Sequence, residues 1–262
     1  MHPNSTNKPD LAVIIPIFNE ESSLMAMAEG LADHLDDIVG KERWTYVMVD
    51  NGSKDGTRKV AQEITSRWCS SKYLRLDKAN YGEALSVGLK AASTQYTYII
   101  NVDFWDPIFL HWSWHHRESY DLIIGSKRSD FSLNQQLPFR TMLSWGLNTM
   151  LKFAFGFVGT DTHGQKFLKM ETMENILKVT EMRQAQFDTE FTLRAQRSGL
   201  KLAEVPVPIK EYRKPRNPMI RKLIFNLIGT VGLWRVVRKI PTLRAPRFHR
   251  FARKDMLNIA KK

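Results

Sequence analysis

The sequence predicts an α/β fold with a mostly parallel central sheet flanked by helices, followed by a basic amphipathic C-terminal extension. Three observations carry this. Short apolar, β-branched runs alternate with segments of helical spacing through the first hundred or so residues. Acidic or amide side chains stand where those runs end, the place where open parallel sheets bind ligands. Positive charge is concentrated near the C-terminus rather than spread evenly. With 262 residues and 43% hydrophobic content, the chain suffices for one large domain, or two small ones, with a proper buried core.

The elements follow in order. Leu11 to Pro16 is an apolar run closed by proline, and Thr45 to Asp50 is another. Between them Glu21 to Leu35 carries Leu, Met and Ala at helical spacing, so the three form a β-α-β unit. Gly56 to Trp68 reads as helix, Tyr73 to Leu76 as a short strand, Gly82 to Ala92 as helix and Tyr96 to Val102 as a strand rich in aromatic and β-branched residues. Asp121 to Gly125 is a further strand and Ser129 to Pro138 a polar loop. Thr141 to Phe155 is a helix that is either buried or membrane-adjacent, given its Leu, Met, Phe and Trp content. Phe187 to Arg197 is a helix, and Leu202 to Val207 ends the domain as a strand. Residues 1–10 are predicted as a flexible N-terminus, 11–213 as the folded domain and 214–262 as the extension.

The single cysteine, Cys69, excludes an intrachain disulfide framework and a multi-cysteine zinc site. Met1 to Pro9 is polar and lacks the order of a secretion signal, which points to the cytoplasm. The formal charge of +12 is lopsided: Lys210 to Lys262 holds 16 Lys and Arg against Glu211 and Asp255, a net +14. The remainder, with 23 basic and 25 acidic residues, carries −2. Without a stacking platform or recognition motif in the nearly neutral body, nucleic acid is not the expected partner.

Three clusters carry chemistry. Ile15-Pro16-Ile17-Phe18-Asn19-Glu20 ends a strand and starts a helix; alone it occurs in many α/β folds, with Asn19 as a helix cap. In Val49-Asp50-Asn51-Gly52-Ser53-Lys54-Asp55-Gly56-Thr57, Gly52 permits a tight turn and a strand-end carboxylate either accepts hydrogen bonds from a nucleobase or closes an Asx turn. Asn101-Val102-Asp103-Phe104-Trp105-Asp106-Pro107 puts a carboxylate just past a hydrophobic strand, where a hard divalent cation could meet a diphosphate.

Taken together and in this order, the clusters resemble those of the family 2 glycosyltransferases of GT-A (Rossmann-like) fold, and within them the dolichol-phosphate mannose synthase-like polyprenol-phosphate glycosyltransferases. The P-x-Y-N-E signature is matched by Pro16, Phe18, Asn19 and Glu20, and D-D-G-S-x-D-G-T by Asp50 to Thr57. The N-x-G helix start is matched by Asn80, Gly82, Ala84 and Gly88, and the D-A-D metal motif by Asn101-Val102-Asp103. Gly125-Ser126-Lys127 resembles G-S-R; Asp161, Thr162, Gly164 and Lys166 resemble D-T-x-x-G-x-K; Asp188 and Glu190 match D-x-E; and Glu204-Val205-Pro206 matches E-V-P.

The resemblance implies that Pro16, Phe18, Glu20, Asp50 and Asn51 surround the nucleoside of a GDP- or UDP-sugar, with Val49 as floor. It implies that Asn101, Val102 and Asp103 face ribose, diphosphate and a divalent cation, Mg²⁺ or Mn²⁺, with Asp103 and Asn101 as metal ligands. Lys127, Arg140, Lys166 and Arg213 would contact phosphates of donor and acceptor, with Lys214 and Arg216 as further candidates. The activity implied is inverting sugar transfer to a membrane-associated acceptor, a polyprenyl phosphate, at the cytosolic face of a membrane. A soluble or polymer acceptor, or a non-catalytic nucleotide-sugar-binding subunit, is the alternative. A lipid phosphate needs little base; a hydroxyl acceptor would require a carboxylate, for which Glu190 and Asp188 are the candidates beside Asp103. Three positions depart from the pattern: Asn51 and Asn101 replace carboxylates, and Trp105 replaces a polar metal-side residue, with the following Asp106 either compensating for it or capping the next turn.

From Met219 to Ile240 basic clusters flank an apolar stretch, Leu223 to Trp234, shorter than the roughly 20 residues a bilayer span needs. It predicts an interfacial helix or re-entrant hairpin with Trp234 at headgroup depth, a core helix being the alternative. Arg221, Lys222, Arg235, Arg238 and Lys239 would meet anionic lipid, and Thr242 to Lys262 is a proline-broken, basic flexible arm on the same surface. A membrane-protein partner or a homo-oligomer fits such a surface. His111, His115 and His116 lack a known ligand spacing and predict a histidine-rich helix or loop near the mouth of the site.

Overall fold

A computed structural model of the chain describes residues 8–68, 70–133, 146, 149, 151–208, 229, 231–242 and 244–260. The strands are β1 (Leu11–Ile17), β2 (Trp44–Asp50), β3 (Lys72–Arg75), β4 (Tyr96–Ile99), β5 (Leu122–Ser126), β6 (Lys166–Lys169), β7 (Lys201–Pro206) and β8 (Arg247–Arg250). The helices are α1 (Leu24–Ile38), α2 (Thr57–Arg67), α3 (Tyr81–Ala91) and α4 (Pro107–His115), then α5 (151–155), α6 (Met170–Val179), α7 (Phe187–Arg197), α8 (231–237) and α9 (Arg253–Ala260). One eight-stranded sheet runs in the order β3-β2-β1-β4-β6-β5-β7-β8. All pairings are parallel except the two that β6 makes, with β4 and with β5.

Alternation along β1 explains the layers. Leu11, Val13, Ile15 and Ile17 pack with α1, α4 and Met256 on one face, while Ala12 and Ile14 pack with α3, α6 and α7 on the other. Both faces are covered, which is why this strand reads as one unbroken apolar run. Each fully buried Ile or Val contributes roughly 1.5–3 kcal/mol relative to exposure. The chain passes from β1 to β2 and β3 on one side, then returns through α3 to β4 on the other side of β1. That reversal opens a crevice at the carboxyl ends of β1 and β4.

The predicted β-α-β unit, α2, α3, β5, α7 and β7 are present, with ends shifted by a few residues. Three readings are corrected. The strand predicted to Val102 ends at Ile99, because residues 101–104 fold into a tight turn closed by reciprocal Asn101–Phe104 backbone bonds. The antiparallel β6 and the helix α6 that follows it fill a region the sequence left unassigned. The C-terminal segment is built into the fold rather than lying as an arm: β8 extends the sheet beside β7, and Met256 of α9 is fully buried against the α4 side of the core. The reason is that Phe248 and Met256 find apolar partners that the charge-dominated composition of this segment conceals.

Of the predicted helix Thr141 to Phe155, the described residues 146, 149 and 151–155 are helical. Leu151 and Phe155 pack with Phe157 and Leu193 and with Leu233 and Val237 of α8, so the described C-terminal part of the predicted interfacial segment has one face buried in protein. Among the described residues no helix is long and apolar enough to cross a membrane.

Candidate active site

Two of the sequence clusters exist to hold each other. Asn19 adopts a left-handed backbone (φ 54°), a conformation asparagine tolerates, and this turns residues 18–21 toward the 53–57 turn. The Asn19 and Glu20 amides donate to Ser53 Oγ (2.9 Å) and Thr57 Oγ1 (2.7 Å), while the Lys54 and Gly56 amides donate to Asn19 Oδ1 (2.8 Å) and Glu21 Oε2 (3.0 Å). Asp50 is fully buried and completes the strut: Oδ1 accepts from the Ser53 amide (2.7 Å) and Oδ2 from Tyr73 Oη (2.7 Å) and Arg75 Nη1 (3.2 Å). The α3 motif is likewise packing chemistry. A Cβ on Gly82 would lie 2.3 Å from the Gln184 carbonyl oxygen, and one on Gly88 would lie 2.6 Å from Ile14.

Above this frame lies an open cleft of about 140 Å³ lined by Pro16, Ile17, Phe18, Glu20, Asn51, Tyr81, Asn101, Val102 and Asp103. The structure therefore brings together most of the residues expected around the donor. Val49 and Asp50 stand behind the cleft, Val49 in the core under α3 and Asp50 as the strut just described. Asn51 Oδ1 accepts from the Asn80 amide, tying the end of β2 to the cap of α3. Ile17 and Tyr81 are the lining residues absent from the predicted set, and Tyr81 is the polar one. Its hydroxyl faces the Asn101 amide and the Asp188 carboxylate, and burial, then the Asp188 charge, pushes its pKa well above the ordinary tyrosine value. It follows directly on the helix cap Asn80, which the structure joins to Asn51.

The turn 101–104 presents Asp103, exposed, with the amide of Asn101 lining the same cleft. Among the described residues no three His, Cys, Asp or Glu side chains converge on a metal-sized point. One carboxylate and one amide fit a hard divalent cation that takes its remaining oxygens from a diphosphate and water. Asp106 does not serve as a substitute ligand. It caps α4 through the Ile108 amide (3.0 Å) and is paired with Arg253. Trp105 turns away from the cleft and packs over Gly30 and beside His34 on α1, so its bulk does not enter the site. Lys127 Nζ lies over the Phe104 ring, 4.4 Å from its centroid, which places a cation beside the turn.

Three of the expected site residues are engaged within the protein. Lys166 is buried, with Nζ 2.7 Å from Asp188 Oδ1 and 3.1 Å from the Gly164 carbonyl. Asp188 is paired through Oδ1, while its buried Oδ2 has no hydrogen-bond partner among the described residues. Glu190 is fully buried and accepts from the amides of Glu181 (3.0 Å) and Met182 (2.6 Å) and from Arg194 Nε (2.6 Å), a satisfied structural carboxylate rather than a base. Glu204 of the E-V-P match holds the 160–161 loop by accepting from the Thr160 (2.7 Å) and Asp161 (3.1 Å) amides; burial raises its pKa against those bonds. Arg140, Arg213, Lys214 and Arg216 lie outside the described residues. The predicted histidine-rich segment is α4, where His116 stacks on Trp112 with ring centroids 4.0 Å apart.

Comparison with known proteins agrees with this geometry. The sequence profile described as "Glycosyl transferase family 2" matches residues 12–163. An undecaprenyl-phosphate mannosyltransferase of Micrococcus luteus is 26% identical over 240 residues, covering 88% of this chain and 96% of that protein. A dolichyl-phosphate β-glucosyltransferase of Trichomonas vaginalis is 22% identical over 250 residues, covering 86% and 76%. Among solved structures, glucosyl-3-phosphoglycerate synthase from Mycobacterium tuberculosis in complex with Mn²⁺, UDP and phosphoglyceric acid superposes with a TM-score of 0.59. The identity is 19%, over 89% of this chain and 80% of that one, a likeness of fold.

Proposed function

The chain belongs to glycosyl transferase family 2, and from that premise we propose that it transfers a sugar from a GDP- or UDP-sugar to a polyprenyl phosphate at the cytosolic face of a membrane. The observation that carries the acceptor class is the fate of Asp188 and Glu190. Both carboxylates are buried: Glu190 is bonded to three protein donors, and Asp188 is charge-paired with Lys166 through Oδ1. An acceptor hydroxyl would need such a base; a phosphate monoester arrives already ionised and does not. The names of the Micrococcus and Trichomonas relatives, which specify undecaprenyl and dolichyl phosphates, support the same class.

In this reading a phosphate oxygen of the acceptor attacks the anomeric carbon, the bond to the diphosphate breaks in line, and configuration inverts. Asn101 and Asp103 would hold Mg²⁺ or Mn²⁺, which supplies charge neutralisation for the departing diphosphate. Asn51, Phe18 and Glu20 shape the nucleoside end of the cleft, and Lys127 provides positive charge beside the metal turn. The membrane reading is supported by α5 and α8. Leu233 and Val237 face inward, while Phe153 (88% exposed), Val231 and Trp234 face out, with the Arg238 guanidinium 4.8 Å from the Trp234 ring. Apolar and cationic side chains presented together suit an anionic headgroup layer.

Calorimetric titration with GDP- and UDP-sugars, with and without Mn²⁺, tests the donor and metal assignment. The wild type is expected to bind one donor class in a Mn²⁺-dependent manner and Asp103→Ala to lose that dependence. Mn²⁺-dependent binding retained by Asp103→Ala would remove Asp103 from the metal site.

A further inference from the structure

Arg253 comes from α9, 147 residues beyond the residue it grips. Its Nη1 and Nη2 engage the two oxygens of Asp106, the second contact at 3.3 Å, and Nη1 also donates to the Pro206 carbonyl (3.2 Å). The pair is largely removed from water, the side chains being 14% and 5% exposed. Asp106 is the far anchor of the turn that presents Asp103. The near end is fixed by the Ile100 amide donating to the Ile14 carbonyl (3.1 Å), and the turn is closed by Phe104 N to Asn101 O (3.0 Å). At the far end the Asp106 amide donates to Gln165 Oε1 (3.2 Å), its side chain caps α4, and Arg253 compensates its charge.

We propose that Arg253 is a positioning residue for the metal-binding turn, so that the β8-α9 segment completes the active site without touching substrate. The physical reason is that a buried carboxylate holds its place only while paired. Without the guanidinium, Asp106 loses its two-point partner and is drawn toward water, which releases the anchor three residues after Asp103. A two-pronged guanidinium grip fixes orientation as well as charge, which a lysine does not do. The inference rests on Asp103 as a metal ligand, and its test separates the two.

The test is Mn²⁺ titration by electron paramagnetic resonance on the full chain, with UDP and separately GDP present, for wild type, Arg253→Gln, Asp106→Asn and the double variant. Loss of a partner that bonds a metal ligand directly typically weakens metal binding by about 10–100-fold; acting one step further out, through Asp106, Arg253→Gln is expected to weaken Mn²⁺ binding by about 10-fold. Asp106→Asn, which keeps a capping side chain, is expected to show a similar loss, and the double variant no more than either alone. Wild-type Mn²⁺ affinity in Arg253→Gln, with only its melting temperature lowered, would make Arg253 a structural residue and overturn the proposal. If Arg253→Gln does not fold, Arg253→Lys decides: weaker Mn²⁺ binding at unchanged melting temperature supports positioning, and unchanged binding overturns it. Absence of Mn²⁺ binding in the wild type would remove the metal assignment of Asp103 and the inference with it.

Discussion

Three donors converge on the Glu190 carboxylate, two of them backbone amides of the segment that precedes α7. Its work is to hold residues 181–182 against the helix. Glu190→Gln is expected to lower stability by roughly 1–3 kcal/mol, the range for hydrogen bonds to a charged group, while turnover of the folded protein changes by less than about threefold. Denaturant unfolding and steady-state kinetics check this; a loss of a hundredfold or more would restore Glu190 as a general base. The cleft itself was largely legible in the sequence. Pro16, Phe18, Glu20, Asn51, Asn101, Val102 and Asp103 line it because strand-end residues of a parallel sheet share one edge. Tyr81 was not legible, since an aromatic residue at a helix start reads as packing. For Lys166, Asp188 and Glu190 the sequence left ligand and structural roles unseparated, because a charged residue in a motif looks the same whether it meets a ligand or another buried charge.

The buried pair Lys166–Asp188 joins β6 to α7, the junction where an antiparallel strand enters an otherwise parallel sheet. Lys166→Met would leave the Asp188 carboxylate uncompensated and is expected to cost about 3–5 kcal/mol in chemical denaturation. A change under about 1 kcal/mol would mean the pair contributes nothing that burial does not already cancel. The helix α4 carries a pH signature. Burial, with the nearby His115 charge, holds His111 and His116 below the ordinary 6.5, so the unfolded chain takes up protons first. Stability from these rings is complete above 6.5 and lost as pH falls through and below it. The melting temperature should therefore drop between about pH 7 and pH 5.5, and less steeply in His116→Gln; identical slopes would contradict the assignment. The elements missed in the sequence share a cause. The four residues of β6 have lysine at both ends, β8 has Phe248 between basic residues, and α6 shows its period only in Met173, Ile176 and Leu177. Each is too short or too charged to announce a buried face before its neighbours exist.

On the scale of the whole molecule, a body of charge −2 carries a segment of +14, yet part of that segment is structural. Arg250 lies 3.4 Å from Glu204 and Arg253 pairs with Asp106, so these two cations are paired with carboxylates of the domain. Among the described residues, the outward Phe153, Val231 and Trp234, with Arg238 beside Trp234, make up the proposed membrane surface. The central claim, sugar transfer to a lipid phosphate, is tested most directly by incubating the full chain with labelled GDP- and UDP-sugars, Mn²⁺ and undecaprenyl phosphate in anionic vesicles. Parallel reactions would offer soluble hydroxyl acceptors. The account predicts label in the lipid fraction with one donor class, dependent on both cation and lipid phosphate. Transfer to a hydroxyl acceptor with none to lipid phosphate would contradict it.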